Sequence, residues 1–213
     1  MRVATGHNQA FRPAVELVKS LLDDGIIGDI HRISVTCTFR LQIETTDLGW
    51  RADARHTGGG ELIDSGIHPV YLLLHLMGDE PRAVSAMLSN GRRGFMDRED
   101  SAQVLVRFDG GAVGHVSTSW ASQDAEGSEL ITIAGSHGAL SASDAGVLLL
   151  RDDGTSERFE LRPPDTFTDL IRDFSDAVAA GRPARQDEQA GAAAVRVVLA
   201  AYEADTSGTT VLL

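Results

Sequence analysis

Cysteine, lysine and aromatic residues are scarce in this 213-residue chain, aromatics making up only 5% of it. Cys37 is the single cysteine, which excludes an intrachain disulfide framework and any CxxC or cysteine-based zinc spacing. Lys19 is the single lysine, and every other residue counted as basic is arginine. Arginine neither sheds its proton readily nor forms a Schiff base, so lysine chemistry has one candidate. No run approaches the roughly 20 apolar residues of a membrane-spanning helix. The opening stretch MRVATGHNQAFRP has no apolar signal core. Positive charge is also short: 19 basic against 31 acidic residues give a net charge of −12. That balance argues against a nucleic-acid or anionic-membrane surface. There is no nucleophile elbow, phosphate loop or GxGxxG fingerprint. The expectation is a cytoplasmic protein without a membrane or nucleic-acid partner.

What is present suffices for a core, since 42% of the chain is hydrophobic. Val15, Leu17, Val18, Leu21 and Leu22 recur at helical spacing between Pro13 and Asp24, and Gly25 stops the run. Lys19 falls on the opposite face, as a solvated ion pair. From Ile30 to Arg40 the chain alternates, with Ile33, Val35, Cys37 and Phe39 on one side and Ser34, Thr36 and Thr38 on the other. This predicts a strand, and makes Cys37 a small buried hydrophobe. Glu61 to Met77 is helical again. Residues 103–108 and 112–120 form a hairpin around Asp109-Gly110-Gly111. Short strands follow at 129–134, 139–143, 147–150 and 156–161. Helices close the chain at 167–180 and 187–204, with a short tail at 211–213. Grouped strands predict an α+β fold with a mainly antiparallel sheet. With no repeat or linker, residues 1–213 read as one domain.

The densest chemical constellation is GGGELIDSGIHP, residues 58–69. Three glycines permit close approach of backbone or ligand, and they open a helix whose free N–H groups favour anionic or polar groups. Asp64 and His68 are four apart and share a helix face. A carboxylate beside an imidazole can orient it and keep its pKa near neutrality, which suits general acid–base work; the alternative is a purely local hydrogen-bonded pair. Pro69 donates no backbone hydrogen bond, so a kink or a new turn is expected there. His75 lies seven residues on, but no HExxH spacing supports a metal, and none is expected. His31, His115 and His137 read as structural. His7 and Asn8 form a polar segment before the first helix that can face a cleft. Trp50 and Arg51 lie in a loop, where an aromatic and a guanidinium can grip a polyol or a phosphate.

The stretch W-R-A-D-A-R-H-T-G-G-G-E-L-I-D-S-G-I-H-P resembles the central signature of the Gfo/Idh/MocA oxidoreductases. The flanks agree in order along the chain: G-H-N-Q-A-F-R-P-A-V, D-G-I-I-G-D-I, E-D-S-A-Q-V-L-V-R-F-D-G-G-A-V-G, A-G-S-H-G-A-L, F-S-D-A-V-A-A-G-R-P and A-A-Y-E-A-D-T-S-G. The resemblance is to the C-terminal half of such enzymes. Family members begin with a Rossmann domain that holds NAD or NADP and carries a catalytic lysine in an E-K-P motif. Neither matches anything here, and Lys19 is on the wrong element to replace that lysine.

The resemblance implies a large open sheet, mainly antiparallel, with helices packed on one face. It also implies a substrate pocket and a homo-oligomer formed through the sheet face, where Ser34, Thr36, Thr38, Ser117 and Ser119 suggest a polar outer surface. By resemblance His68 matches the proton-transfer histidine and Asp64 its neighbouring acid. Trp50 and Arg51 match substrate-lining positions, and Asn8 a polar position at the floor of the cleft. Ala10 stands where the family often has a basic residue, which removes a partner for an anionic substrate group. The implied function is the substrate-binding and oligomerisation domain of an NAD(P)-dependent sugar, cyclitol or polyol oxidoreductase. No cofactor is expected on this chain alone; NAD or NADP is implied for the complete enzyme, with a separate Rossmann-domain chain as one possible source. Two other readings stand beside it: a redox-free isomerase, lyase or cyclase using Asp64 and His68, and a non-catalytic dimeric scaffold or ligand binder.

Overall fold

The computed structural model describes residues 2–42, 48–91, 96–123 and 129–213. A 3-10 turn, Asn8–Phe11, leads into α1, Pro13–Asp23. Proline sits at the first helical position, where its missing N–H costs nothing. β1 is Ile30–Thr38, and the polar stretch after it lies partly outside the described residues. A second 3-10 turn, Gly49–Ala52, precedes the single-turn α2, Ala54–Thr57. The helix expected over 61–77 is not uniform. Its first part, Leu62–Gly66, is a π-turn, and α3 proper is Ile67–Met77. Pro69 lies inside α3, so the irregularity expected at proline falls just before it, where the wider turn absorbs the mismatch.

The remaining strands are β2 Pro81–Ser89, β3 Ser101–Phe108, β4 Val113–Ser119, β5 Glu129–Gly135, β6 Gly138–Ser143, β7 Gly146–Arg151, β8 Ser156–Phe159 and β9 Val211–Leu212. Two helices, α4 Thr166–Ala180 and α5 Glu188–Ser207, lie between β8 and β9. All nine strands form one sheet in the order β8-β7-β6-β5-β1-β4-β3-β2-β9. Every pairing is antiparallel except β1 with β4, where Val35 lies opposite Val116. This is the α+β architecture the sequence predicts. No helix among the described residues is long and apolar enough to cross a membrane.

β2 has no counterpart in the sequence reading. Its register shifts between Pro81 and Ala83, so Ala83 and Val84 are both buried and the two-residue alternation is lost. One sheet face carries the core, with Ile33, Val35, Val104, Val116, Ile133, Leu140 and Leu149 meeting Val15, Val18, Leu73, Leu76, Val197 and Val198 from the helices. The other face mixes polar and apolar groups. Ser34, Thr36 and Ser117 are half-buried there, whereas Met87 is 80% and Leu105 48% exposed. Two members of the expected polar face are corrected. Thr38 and Ser119 are buried at the strand ends, because segment 39–41 bonds along Ser119 and Trp120 and the chain leaving β4 folds its N–H groups onto the Ser119 hydroxyl. Cys37 is half-buried rather than sealed in the core. Burial, reinforced by the negative charge of Glu61, pushes its thiol up to about 11, so it is a neutral thiol.

Candidate functional site

Two of the three glycines, Gly59 and Gly60, receive a group from within the chain. A Cβ on Gly59 comes within 2.1 Å of the Tyr202 hydroxyl, and one on Gly60 within 2.1 Å of the Glu99 carbonyl oxygen. The helix start is held by Glu99, whose Oε1 accepts from the N–H groups of Gly60 (3.0 Å) and Leu62 (3.1 Å) and from the Tyr202 hydroxyl (2.7 Å). The anion that a helix N-terminus favours is therefore this buried carboxylate. Glu61 turns inward from the same segment and is fully buried. Its Oε1 accepts from the Thr118 hydroxyl, and its Oε2 has no partner among the described residues. Burial, with Glu99, Asp64 and Asp100 nearby, pushes the Glu61 carboxyl up to about 8 against the pull of the Thr118 hydrogen bond. Gly66 lets the π-turn lie on β4, since a Cβ there meets Thr118 Cγ2 at 2.9 Å.

Beyond this largely buried knot, which meets a cleft only at Tyr202, Glu99, Gly58 and Gly59, other polar groups reach a surface. Asp64 and His68 are both half-buried, but no hydrogen bond joins them. Asp64 is held by Arg51, whose Nε lies 3.0 Å from Oδ2. Trp50 is 60% exposed beside Arg51, whose guanidinium carbon is 5.1 Å from the indole centroid. His68 instead meets His7, with Nδ1 to Nδ1 at 3.0 Å. The structure thus joins Trp50, Arg51 and Asp64 in one group, leaves His68 one turn further along the helix, and replaces the expected carboxylate partner of His68 with an imidazole. Burial draws the His68 pKa down, Asp64 opposes that and Arg12 adds to it. Asn8 is set apart from this group, its Nδ2 donating to Thr166 Oγ1 at 2.9 Å.

His68 also lines a small, largely apolar pocket of about 30 Å³ between the starts of α1 and α3 and the ends of β1, β5 and β6. Gln9, Arg12 and Asp144 supply its polar rim, and Leu72 and Ile131 its apolar wall. Gln9 Oε1 is buried without a partner among the described residues, an acceptor the sequence reading did not single out. Arg12 and Asp144 also border a neighbouring cleft that contains Asn8 and Thr166. His75 lies two turns along α3 from His68, stacked on Tyr71 at 5.9 Å and outside this pocket. His115 bridges Ser34 and Gln103 on the outer sheet face.

An open, nearly all-antiparallel sheet with its helices on one face defines an α+β unit, and His68 lies at a pocket on its helical side. The GFO/IDH/MocA C-terminal domain family matches residues 15–141, and the chain belongs to it. Among curated relatives, D-xylose 1-dehydrogenase [NADP(+)] of Haloarcula marismortui is 26% identical over 208 residues, covering 94% of this chain and 57% of its own length. The dTDP-3,4-didehydro-2,6-dideoxy-alpha-D-glucose 3-reductase of Streptomyces antibioticus is 32% identical over 173 residues, covering 77% of this chain and 50% of its own. The chain therefore spans about half the length of the curated relatives it matches. An oxidoreductase from Agrobacterium radiobacter, solved with NAD+, L-tartaric acid and magnesium, superposes with a TM-score of 0.87 at 18% identity, covering 100% of this chain and 65% of that one.

Proposed function

We propose that residues 1–213 form one α+β unit that binds the substrate and mediates oligomerisation in a sugar, cyclitol or polyol oxidoreductase, with His68 as the group that moves the hydroxyl proton. The carrying observation is His68 at the pocket rim, with one ring nitrogen committed to His7 and the other left for a ligand. Arg51, placed by Asp64, and the exposed Trp50 ring offer the donor fork and apolar plate that grip a polyol. The unpaired Gln9 Oε1 suits a ligand hydroxyl inside the pocket, and Asn8 extends the polar lining through the adjoining cleft. The relatives' names, a xylose dehydrogenase and a deoxysugar reductase among them, agree with that substrate class.

NAD or NADP is the electron carrier this reading implies for the complete enzyme. The described residues do not fit a dinucleotide: the one glycine cluster is filled by Tyr202, and two of the N–H groups at the helix start are bonded to Glu99. The carrier's site belongs to another domain or another chain, and the protein acts in the cytoplasm. The chain's own part is to orient the carbinol and exchange its proton at His68. Homo-oligomerisation through the outer sheet face buries the exposed Met87 and Leu105.

The test is a titration of the chain with xylose, inositol and glycerol, followed through the His68 ring and Trp50 indole signals by NMR. Saturable shifts at millimolar polyol that vanish in Arg51→Ala support the reading, and shifts confined to other residues overturn it. Tight binding of NADH or NADPH by the chain alone overturns the assignment of the carrier elsewhere. For assembly, sedimentation that gives a dimer converted to monomer by Leu105→Arg is the expected result, and a wild-type monomer refutes it.

A further inference from the structure

The geometry points to His7 as the positioning residue for His68: its Nδ1 accepts the His68 Nδ1–H, fixing the tautomer in which His68 Nε2 takes up and releases the proton. The sequence offers Asp64 for this task, but Asp64 is engaged by Arg51 at 3.0 Å and makes no hydrogen bond to His68. The two imidazoles meet at 3.0 Å through their Nδ1 atoms, with ring centroids 5.0 Å apart and planes at 84°. Only one of two facing nitrogens can carry the shared proton, so one ring donates and the other accepts.

Chemistry at His68 decides which ring donates. Whenever His68 is protonated at both nitrogens its Nδ1 is a donor, and His7 must then present a bare Nδ1. If His7 already holds its own proton on Nε2, His68 Nδ1–H stays a donor throughout and only Nε2 changes state. No rearrangement accompanies proton transfer, which is the advantage a fixed acceptor gives a general acid–base histidine.

His7 is built to stay neutral and still. It is 6% exposed, stacked on Tyr71 at 4.3 Å with planes 12° apart, and its carbonyl accepts from the buried Gln186 side chain. Burial first, and then repulsion from His68, draws its pKa down to about 4, so at neutral pH its ring remains an acceptor. A neutral acceptor also leaves the His68 pKa lower than a carboxylate partner does, since it adds no negative charge.

This inference rests on His68 being the proton-transfer group, but its test does not. Long-range proton–nitrogen correlation spectra of the chain labelled with nitrogen-15 histidine read each ring's tautomer directly at neutral pH. The expected wild-type result is His68 as the Nδ1–H form and His7 as the Nε2–H form; His68 found as the Nε2–H form overturns the proposal without any variant. His7→Phe keeps the stack on Tyr71 and removes the acceptor, and it is expected to turn the single His68 tautomer into a mixture. His7→Asn, whose amide oxygen falls near the Nδ1 position, is expected to restore the single form. An unchanged His68 tautomer in His7→Phe refutes the assignment. Polyol titration of the same wild-type sample reports separately on whether His68 faces ligand.

Discussion

Two polar clusters sit a few residues apart on the segment from Gly58 to His68, and they behave oppositely. At its start, the buried Glu61, Thr118 and Glu99 and the half-buried Tyr202 form a largely sealed knot in which one carboxylate satisfies three donors and another has an oxygen without a partner among the described residues. Further along, Arg51 pairs with Asp64 at a half-exposed position, and His68, bonded to the buried His7, lines a pocket. Both grow from the same motif, so residue type alone does not separate structure from site. Access to solvent does. In the sealed knot, desolvation dominates and pushes the Glu61 acid up. In the open cluster, charges are partly hydrated and their pairing is worth little.

The sharpest way to break the sealed side is Gly60→Ala. Its Cβ meets a backbone carbonyl at 2.1 Å that no rotamer change can relieve, so the loss is expected to be about 3–5 kcal/mol in urea unfolding. Gly58→Ala is the control. No atom lies within 4 Å of its Cβ, and only the positive φ of 77° opposes it, for about 1 kcal/mol. Equal losses at the two positions contradict the packed-knot account.

Next is Glu61→Gln. The Glu61 pKa is raised from 4.5 to about 8, so between those values the folded state holds a proton that the unfolded state releases. Stability then falls as pH rises through this window and is fully retained below it. The glutamine variant is expected to gain on the order of 2 kcal/mol over wild type at pH 8 and to match it near pH 4.5. Thermal melts at the two pH values check this, and a pH-independent difference refutes it.

The imidazoles carry the opposite sign. Burial draws both His7 and His75 from 6.5 down to about 4, so the unfolded state binds more protons in that range and stability is lost as pH falls from 6.5 toward 4. His75→Phe keeps an aromatic ring against Tyr71 and is expected to recover about 1 kcal/mol at pH 5 with no change at pH 7. An unaltered acid limb removes His75 from the account. The smallest effect belongs to the open cluster. Arg51→Ala breaks a pair whose arginine side chain is 50% exposed and is expected to cost less than about 1 kcal/mol in stability while abolishing polyol shifts at Trp50. A loss as large as that of Gly60→Ala makes the pair structural instead.

The sequence pattern was legible where a single face was buried. α1, β1, the β3–β4 hairpin and the two C-terminal helices all follow from periodicity, punctuated by Gly25 and by Asp109-Gly110-Gly111. Lys19 pairs with Asp23, as a surface helix lysine should. β2 escaped because its bulge breaks the alternation, and β9 because two residues carry no period. The π-turn escaped because a helical pattern does not reveal how many residues one turn contains.

Composition and local order by themselves determined the α+β class, the single lysine, the absence of a disulfide or glycine fingerprint in this sequence, and a chemically dense segment at 58–69, because each depends on composition or on residues close in the chain. Tertiary structure alone decided the partners. Glu99 reaches the glycines from 39 residues away, and His7 reaches His68 from 61. A hydrogen bond is chosen by what folding delivers within about 3 Å, and spacing along the chain cannot say which donor arrives there first.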